Sequence, residues 1–316
     1  MKVYYSEYLQ LDKVLTAQQP VSCKLGECMH DEHFFIVLHQ THELWFKQII
    51  YELESINKLF ITHRHPLAVA LPRMRRVFEI MKAILPELKL LETLSQEQFF
   101  QFRDFIAPAS GSQSYQFKMI ELILGLRNLD EELSNTDHLN EKQLTLLVST
   151  GANLSLQKQT DLYLKEFYST YNNNFFLERL PSYLKHLHDC GAIFEVLGSD
   201  IKDYQDAFIV DGEYEFGEAK FDKISLQSAL ICLYACENKN LEPLNHIYDF
   251  IFLISEIESV FKSWKEIHAM VVRNILGFKS GTGGTTGYLY LKDRINKLSG
   301  SAFAKIIYQH DLLIKI

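Results

Sequence analysis

The sequence predicts an all-α fold, a helical bundle formed by a single domain of 316 residues. Three observations carry that prediction. Apolar residues recur at spacings of three and four over stretches much longer than a strand, as on the buried stripe of a helix. No strand pattern of any length appears, and no internal repeat stands out. Helix punctuation also falls where the periodic stretches begin and end, as a Ser with a Gln three residues on or a Gly just past the last periodic residue. Within the domain (residues 1–316), an N-terminal arm of about residues 1–20 and a helical insertion of about residues 127–240 are set apart.

Each element follows from the residues in order. The arm, YYSEYLQLDKVLTAQQPVS, is rich in tyrosine and ends in a turn at Pro20. Such arms often pack on a neighbouring subunit; a frayed end is the bland alternative. Residues 31–60 are strongly helical, with Phe35, Leu38, His39, Leu44, Trp45, Ile49, Leu53 and Ile56 recurring at helical spacing. His39 lies on or beside that apolar stripe, one turn after Phe35. By itself, a histidine so placed reads most simply as a satisfied core residue. A loop at residues 63–66 leads to a second helix at about 71–91. Ser95 and Gln98 then form a capping box for a helix carrying Phe99, Phe102, Arg103 and Phe105. An arginine among phenylalanines is costly unless an anion meets it.

The break at residues 107–111 ends that helix, and another follows at about 113–126, with Lys118 read as part of its solvated face. Residues 127–240 read as helices joined by polar loops. There His186, His188 and Cys190 resemble a metal cluster, but histidines two apart on a helix point in different directions. A long helix runs from about 241 to 276, and the tail after Tyr290 reads as helical and peripheral.

Composition narrows the function. The chain is 47% hydrophobic and 13% aromatic, with 22 Phe and 16 Tyr. That is enough for a sizeable core, and the wealth of rings suits a flat aromatic guest. A net charge of −8 argues against nucleic acid and against an anionic membrane surface. The apolar runs fall short of a transmembrane span, and the opening residues form no signal peptide, so a cytoplasmic location is expected. The five cysteines, Cys23, Cys28, Cys190, Cys232 and Cys236, have no zinc-finger spacing and read as reduced thiols.

The most informative stretch is residues 264–291, WKEIHAMVVRNILGFKSGTGGTTGYLYL. Ile267, Met270, Val271, Ile275 and Leu276 give it a helical first half, with His268 inside and Gly277 placed to stop it. GTGGTTG follows at residues 281–287. A loop of Gly and Thr brings backbone N–H groups and hydroxyls close to a ligand, because no bulky side chain stands in the way. It is not a phosphate-binding P-loop, since no Lys-Ser or Lys-Thr pair follows the glycines. A helix bearing one candidate ligand and feeding such a loop is the layout of a cofactor-and-substrate site.

Three blocks now go together: HQTHELWFKQIIYELESI (residues 39–56), FRDFIAPASGSQSYQFKMIE (residues 102–121) and HAMVVRNILGFKSGTGGTTGYLYL (residues 268–291). They resemble the signature blocks of the tryptophan 2,3-dioxygenase family, in the family's order and approximate spacing. The arm's YSEYLQLDKVLTAQQP resembles that family's first segment. The resemblance covers about two-thirds of the chain, and residues 127–240 do not align by eye. It implies an all-helical, cytoplasmic homotetramer, a dimer of dimers, with one non-covalent haem b per subunit bound between helices. It also implies ring opening of L-tryptophan by O2 to N-formylkynurenine.

The resemblance further implies roles for single residues. His268 corresponds to the proximal haem ligand and Trp264 to the tryptophan one turn before it. His39 corresponds to the distal histidine facing the indole N–H, and Phe35 to a phenylalanine of the same pocket. Arg103 corresponds to the arginine that grips the substrate carboxylate, with Phe99 one turn earlier. Ser110 and Gly111 correspond to the distal loop over the haem, and Thr282 to a threonine holding the amino-acid end of the substrate. Tyr5, Tyr8 and Leu9 correspond to residues that reach a neighbouring subunit's pocket. Two departures stand out. Thr285 and Thr286 replace the family's usual pair of serines, adding methyl groups to the loop. Ser112 stands where the family usually has an aromatic, which widens the haem edge.

Such roles suit the chemistry. Dioxygen does not attack closed-shell indole unaided, and a ferrous haem with a single histidine leaves one iron site open for it. A planar guanidinium meets a carboxylate bidentately and fixes its orientation. Phe35 and Phe99 supply apolar walls. His39 can accept from the indole N–H without being an obligatory base. The alternatives are a haem monooxygenase of the same superfamily acting on tryptophan, a relative of it or tyrosine; a haem sensor without turnover; and a helical scaffold without haem.

Overall fold

In the computed structural model of the chain, the described residues are 2–134, 136–170, 213–216, 219–222, 235, 239–240, 242–277, 279 and 287–296. Two 33-residue helices frame the fold, α4 (His30–Thr62) and α11 (Leu244–Leu276), and α5 (Leu67–Glu87) packs against both. Three short helices precede them in the arm and its exit, α1 (Tyr5–Leu9), α2 (Leu11–Val14) and α3 (Val21–Lys24). A 3-10 turn (Leu88–Thr93) continues α5 and leads to α6 (Gln96–Ile106). Then come α7 (Tyr115–Leu124), α8 (Leu129–Leu133), α9 (Glu141–Ala152) and α10 (Leu156–Thr170); α12 (Tyr288–Asn296) follows α11. The architecture is all-α, as the periodicity predicts.

Local chemistry sets the boundaries of these helices. Ser95 Oγ accepts from the Gln98 N–H while the Ser95 N–H donates to Gln98 Oε1, closing the expected capping box at the start of α6. Gly277 ends α11 with φ +62°, a left-handed value that a glycine adopts without a Cβ clash. The main core lies between α4, α5, α7 and α11, with Ile49, Leu53, Ile56, Met74, Phe250 and Phe261 essentially without exposure. A second, smaller cluster of Leu38, Leu91, Phe99, Phe102, Val271 and Ile275 sits beside it, where α4, α6 and α11 converge.

Several expectations are corrected. The apolar stripe of α4 runs through Leu38, His42, Phe46, Ile49, Leu53 and Ile56, whereas Leu44 and Trp45 are 55% and 40% exposed. Trp45 also sits three residues after His42 and four before Ile49, so spacing alone does not exclude it, and only the packed partners decide which face closes. Lys118 is buried and not solvated, its Nζ donating to the Glu132 carbonyl at 2.9 Å. The described part of the tail, α12, is not peripheral, because Arg294 is bonded to two buried carboxylates; residues 297–316 lie outside the described residues. Cys23 and Cys28 are joined as a disulfide instead of standing as free thiols. A two-stranded antiparallel hairpin pairs Glu213–Phe216 with Ala219–Asp222, in a region read as helices and loops. Strands of four residues are too short to show a period. The His186, His188 and Cys190 cluster lies outside the described residues.

The arm divides in two. Residues 3–10 are exposed, whereas its end is docked on α4: Gln18 donates to Gln40 Oε1 at 2.6 Å and Gln40 to the Ala17 carbonyl at 3.2 Å. The buried carboxylate of Glu32 accepts from the N–H groups of Val21 and Ser22 at 2.6 and 2.9 Å, where the first turn of α3 leaves them unpaired. No described helix is long and apolar enough to cross a membrane.

Candidate active site

The helical period puts His39 and His268 on the inner faces of α4 and α11, and the packing of those helices brings both to one cavity of about 610 Å³. Phe35, Phe99, Ser110 and Gly111 line it as well. Phe35 is the hub of the aromatic wall. Its ring centroid lies 4.1 Å from that of His39, 5.7 Å from Phe99 and 5.5 Å from Phe102. A Cβ added to Gly111 would meet nothing within 4 Å, so this loop borders open volume. The loop is tightly organised: the hydroxyls of Ser110 and Ser112 are 3.0 Å apart, and the Gln113 amide donates to the Pro108 carbonyl at 3.2 Å. Ser112 lines the cavity without filling it.

Hydrogen bonding fixes the tautomer of His39. Its Nδ1 lies 2.7 Å from the Phe35 carbonyl, which can only accept, so Nδ1 carries the proton and Nε2 is left with a lone pair. Burial lowers the His39 pKa, against the raising effect of that hydrogen bond. Burial also pushes His268 down to about 4, helped by the nearby His39 and His42. Both rings are therefore neutral at neutral pH. A neutral imidazole is the form that binds a metal, and His268 is half-buried with its ring turned to the cavity. Behind it, Trp264 lies against the His268 ring with centroids 5.2 Å apart and planes inclined by 26°.

Not every expected residue is brought in. Arg103 is half-buried, with its guanidinium carbon 5.1 Å from the Phe100 ring, and it does not line the cavity as the described residues bound it. Lys279 meets the same ring at 4.1 Å. Tyr5, Tyr8 and Leu9 are 75%, 75% and 39% exposed and do not meet the site of their own chain. Thr282, Thr285 and Thr286 lie outside the described residues.

Other residues went unnoticed. His42 is buried, donates through Nδ1 to the Leu38 carbonyl at 2.9 Å, and has no partner for Nε2 among the described residues. Its ring is 6.1 Å from that of Trp264, whose buried indole N–H likewise has no partner among the described residues. Both line a smaller cavity of about 110 Å³ that continues past His268. The signal was in HQTHE, since residues three apart share a helix face. Gln19 and Val21 at the end of the arm, and Tyr290 and Leu291 on α12, also line the larger cavity.

Comparison with known proteins agrees with this geometry. A family model described as tryptophan 2,3-dioxygenase matches residues 1–301, running through the stretch 127–240 that the sequence alone left unaligned. The tryptophan 2,3-dioxygenase of Alteromonas mediterranea is 33% identical over 314 residues, covering 92% of this chain and 86% of that one. That of Dictyostelium discoideum is 33% identical over 328 residues, covering 93% and 79%, and that of Xenopus tropicalis 31% over 319 residues, covering 92% and 78%. A match to one family over nearly the whole chain, on a helical frame that gathers two neutral histidines and an aromatic wall at one cavity, means that the chain belongs to the tryptophan 2,3-dioxygenase family.

Proposed function

We propose that the chain opens the indole ring of L-tryptophan with O2, giving N-formylkynurenine, in the cavity between α4, α6 and α11. The family is haem-dependent, and the residues present fit such a group. The cavity is large, its walls are mainly apolar and aromatic, and His268 offers one neutral imidazole from one side. In this reading His268 holds the iron of haem b, one per subunit. Trp264 would back the His268 ring, and Ser110 and Gly111, which line the cavity, would help to hold the group. When bound, the haem would supply the redox-active iron that activates O2.

The remaining work belongs to the chain. His39 accepts the indole N–H at its unprotonated Nε2 and sets the rotation of the ring. Phe35 and Phe99 clamp the indole faces and exclude water. Arg103 and Thr282 take the amino-acid end, with Arg103 turning from Phe100 toward the carboxylate. The exposed Tyr5, Tyr8 and Leu9 reach a neighbouring subunit's cavity in a homotetramer.

The observation that carries this reading is the pairing of His39 and His268 across one cavity, both neutral, with the His39 acceptor free to meet a donor. Mixing anaerobically reduced, haem-loaded protein with L-tryptophan and air tests it. The product should absorb as N-formylkynurenine and weigh two oxygen atoms more than the substrate. A gain of one oxygen atom would make the chain a monooxygenase, and binding without turnover would make it a sensor.

A further inference from the structure

The helix that follows the Gly/Thr loop is nine residues long, and none of them is fully buried. It nevertheless supplies Tyr290 and Leu291 to both cavities. So short a helix is not stable by itself in water, and α12 lacks the buried apolar face that usually anchors one. Its contact with α11 includes an exposed one, the Arg273 guanidinium over the Tyr288 ring at 5.3 Å. Its deep anchor is Arg294. Arg294 Nη2 donates to Glu121 Oε2 at 2.7 Å and to Glu132 Oε1 at 2.6 Å, while Nη1 donates to the Tyr290 hydroxyl at 3.3 Å, one turn back on the same helix.

Glu121 on α7 and Glu132 on α8 are both fully buried. Each has a second cation, Lys265 of α11 for Glu121 and Arg127, at 2.7 Å, for Glu132. Burial works to lower the Arg294 pKa, but the two carboxylates raise it above the ordinary guanidinium value, so the guanidinium stays charged, while burial and the nearby Glu121 push the Glu132 carboxyl up. The elements that carry His39 and His268 do not depend on this clamp, because α4 and α11 are locked through α5 and the main core. What depends on it is α12.

We infer that Arg294 is a positioning residue for substrate binding. By clamping α12 to Glu121 and Glu132, it holds the Tyr290–Leu291 wall against the cavity. The inference rests on the reading that this cavity takes tryptophan. Its consequence is a split: losing the clamp loosens the grip on substrate and leaves the two histidines in place.

Arg294→Met tests it, because the apolar stem is kept and each carboxylate retains its second cation. On the full-length, haem-loaded protein, KM for L-tryptophan should rise by about tenfold or more while kcat stays within about threefold. Amide hydrogen exchange should quicken in the peptide covering residues 287–296 and remain unchanged in α4 and α11. Arg294→Lys should recover most of the KM. Glu132→Gln, which keeps shape and removes one partner, carries the same expectations if Arg294→Met gives no soluble protein. An unchanged KM with unchanged exchange, or a fall in kcat alone, overturns the inference. If the wild-type protein does not turn tryptophan over, the reading of the cavity fails, and the exchange comparison alone then decides the clamp.

Discussion

Truncating the two polar side chains assigned to the substrate should have very unequal effects, and the structure sets the ratio. Arg103 is charged and His39 neutral, so Arg103→Ala strips a charged partner from the substrate carboxylate and His39→Ala strips one neutral hydrogen bond from the indole N–H. Removing one partner of a buried charge pair costs about 2–5 kcal/mol. Arg103 is only half-buried and rests over Phe100, so solvent screens it and the lower end applies, about 2–3 kcal/mol. At 1.4 kcal/mol per factor of ten, kcat/KM should fall roughly 30- to 140-fold. A neutral hydrogen bond is worth about 0.5–1.5 kcal/mol net, so His39→Ala should lose about 2- to 12-fold. Loss of the His39 ring also removes its contact with Phe35 at 4.1 Å, which affects the shape of the wall more than the chemistry. The assay is steady-state turnover of L-tryptophan by both variants at matched haem content. If His39→Ala is dead while Arg103→Ala works normally, His39 is an essential base and Arg103 is not the carboxylate anchor.

Three more expectations follow from the same site. His268→Ala should purify with little haem and no activity; full haem occupancy with an unchanged absorption spectrum would assign the iron to another histidine. Deleting residues 1–12 should raise KM for tryptophan steeply and lower the native mass in solution, and a truncated monomer with full activity would refute the role of the arm. The pH profile follows from the depressed pKa of His39. Its neutral, accepting form persists as pH falls past the ordinary histidine value of 6.5 and is lost only below the lowered value. kcat/KM should therefore stay level from about pH 8 down through 6.5 and decline at lower pH, and a half-loss at or above 6.5 would contradict it.

Much of the fold was legible because helices are local. The spacing of Leu38, Ile49, Leu53 and Ile56 requires a helix whatever lies opposite, and Ser95–Gln98 and Gly277 end their helices through bonds to residues three or four away. The place of His268 inside a helix that ends just before a Gly/Thr loop was equally local. What the sequence could not decide was which residues meet across the bundle. Periodicity says that a face is buried, not against what, so Leu44 and Trp45 counted as core while His42 passed unnoticed. Lys118 was read as solvated because its partner, the Glu132 carbonyl, is fourteen residues away on another helix. The ties of Arg294 to Glu121 and Glu132 span 173 and 162 residues, and no local pattern announces them. The helices and their caps are set by neighbours along the chain; the neutral histidine pair, the aromatic wall and the charged clamp exist only because tertiary packing excludes water from groups far apart in sequence.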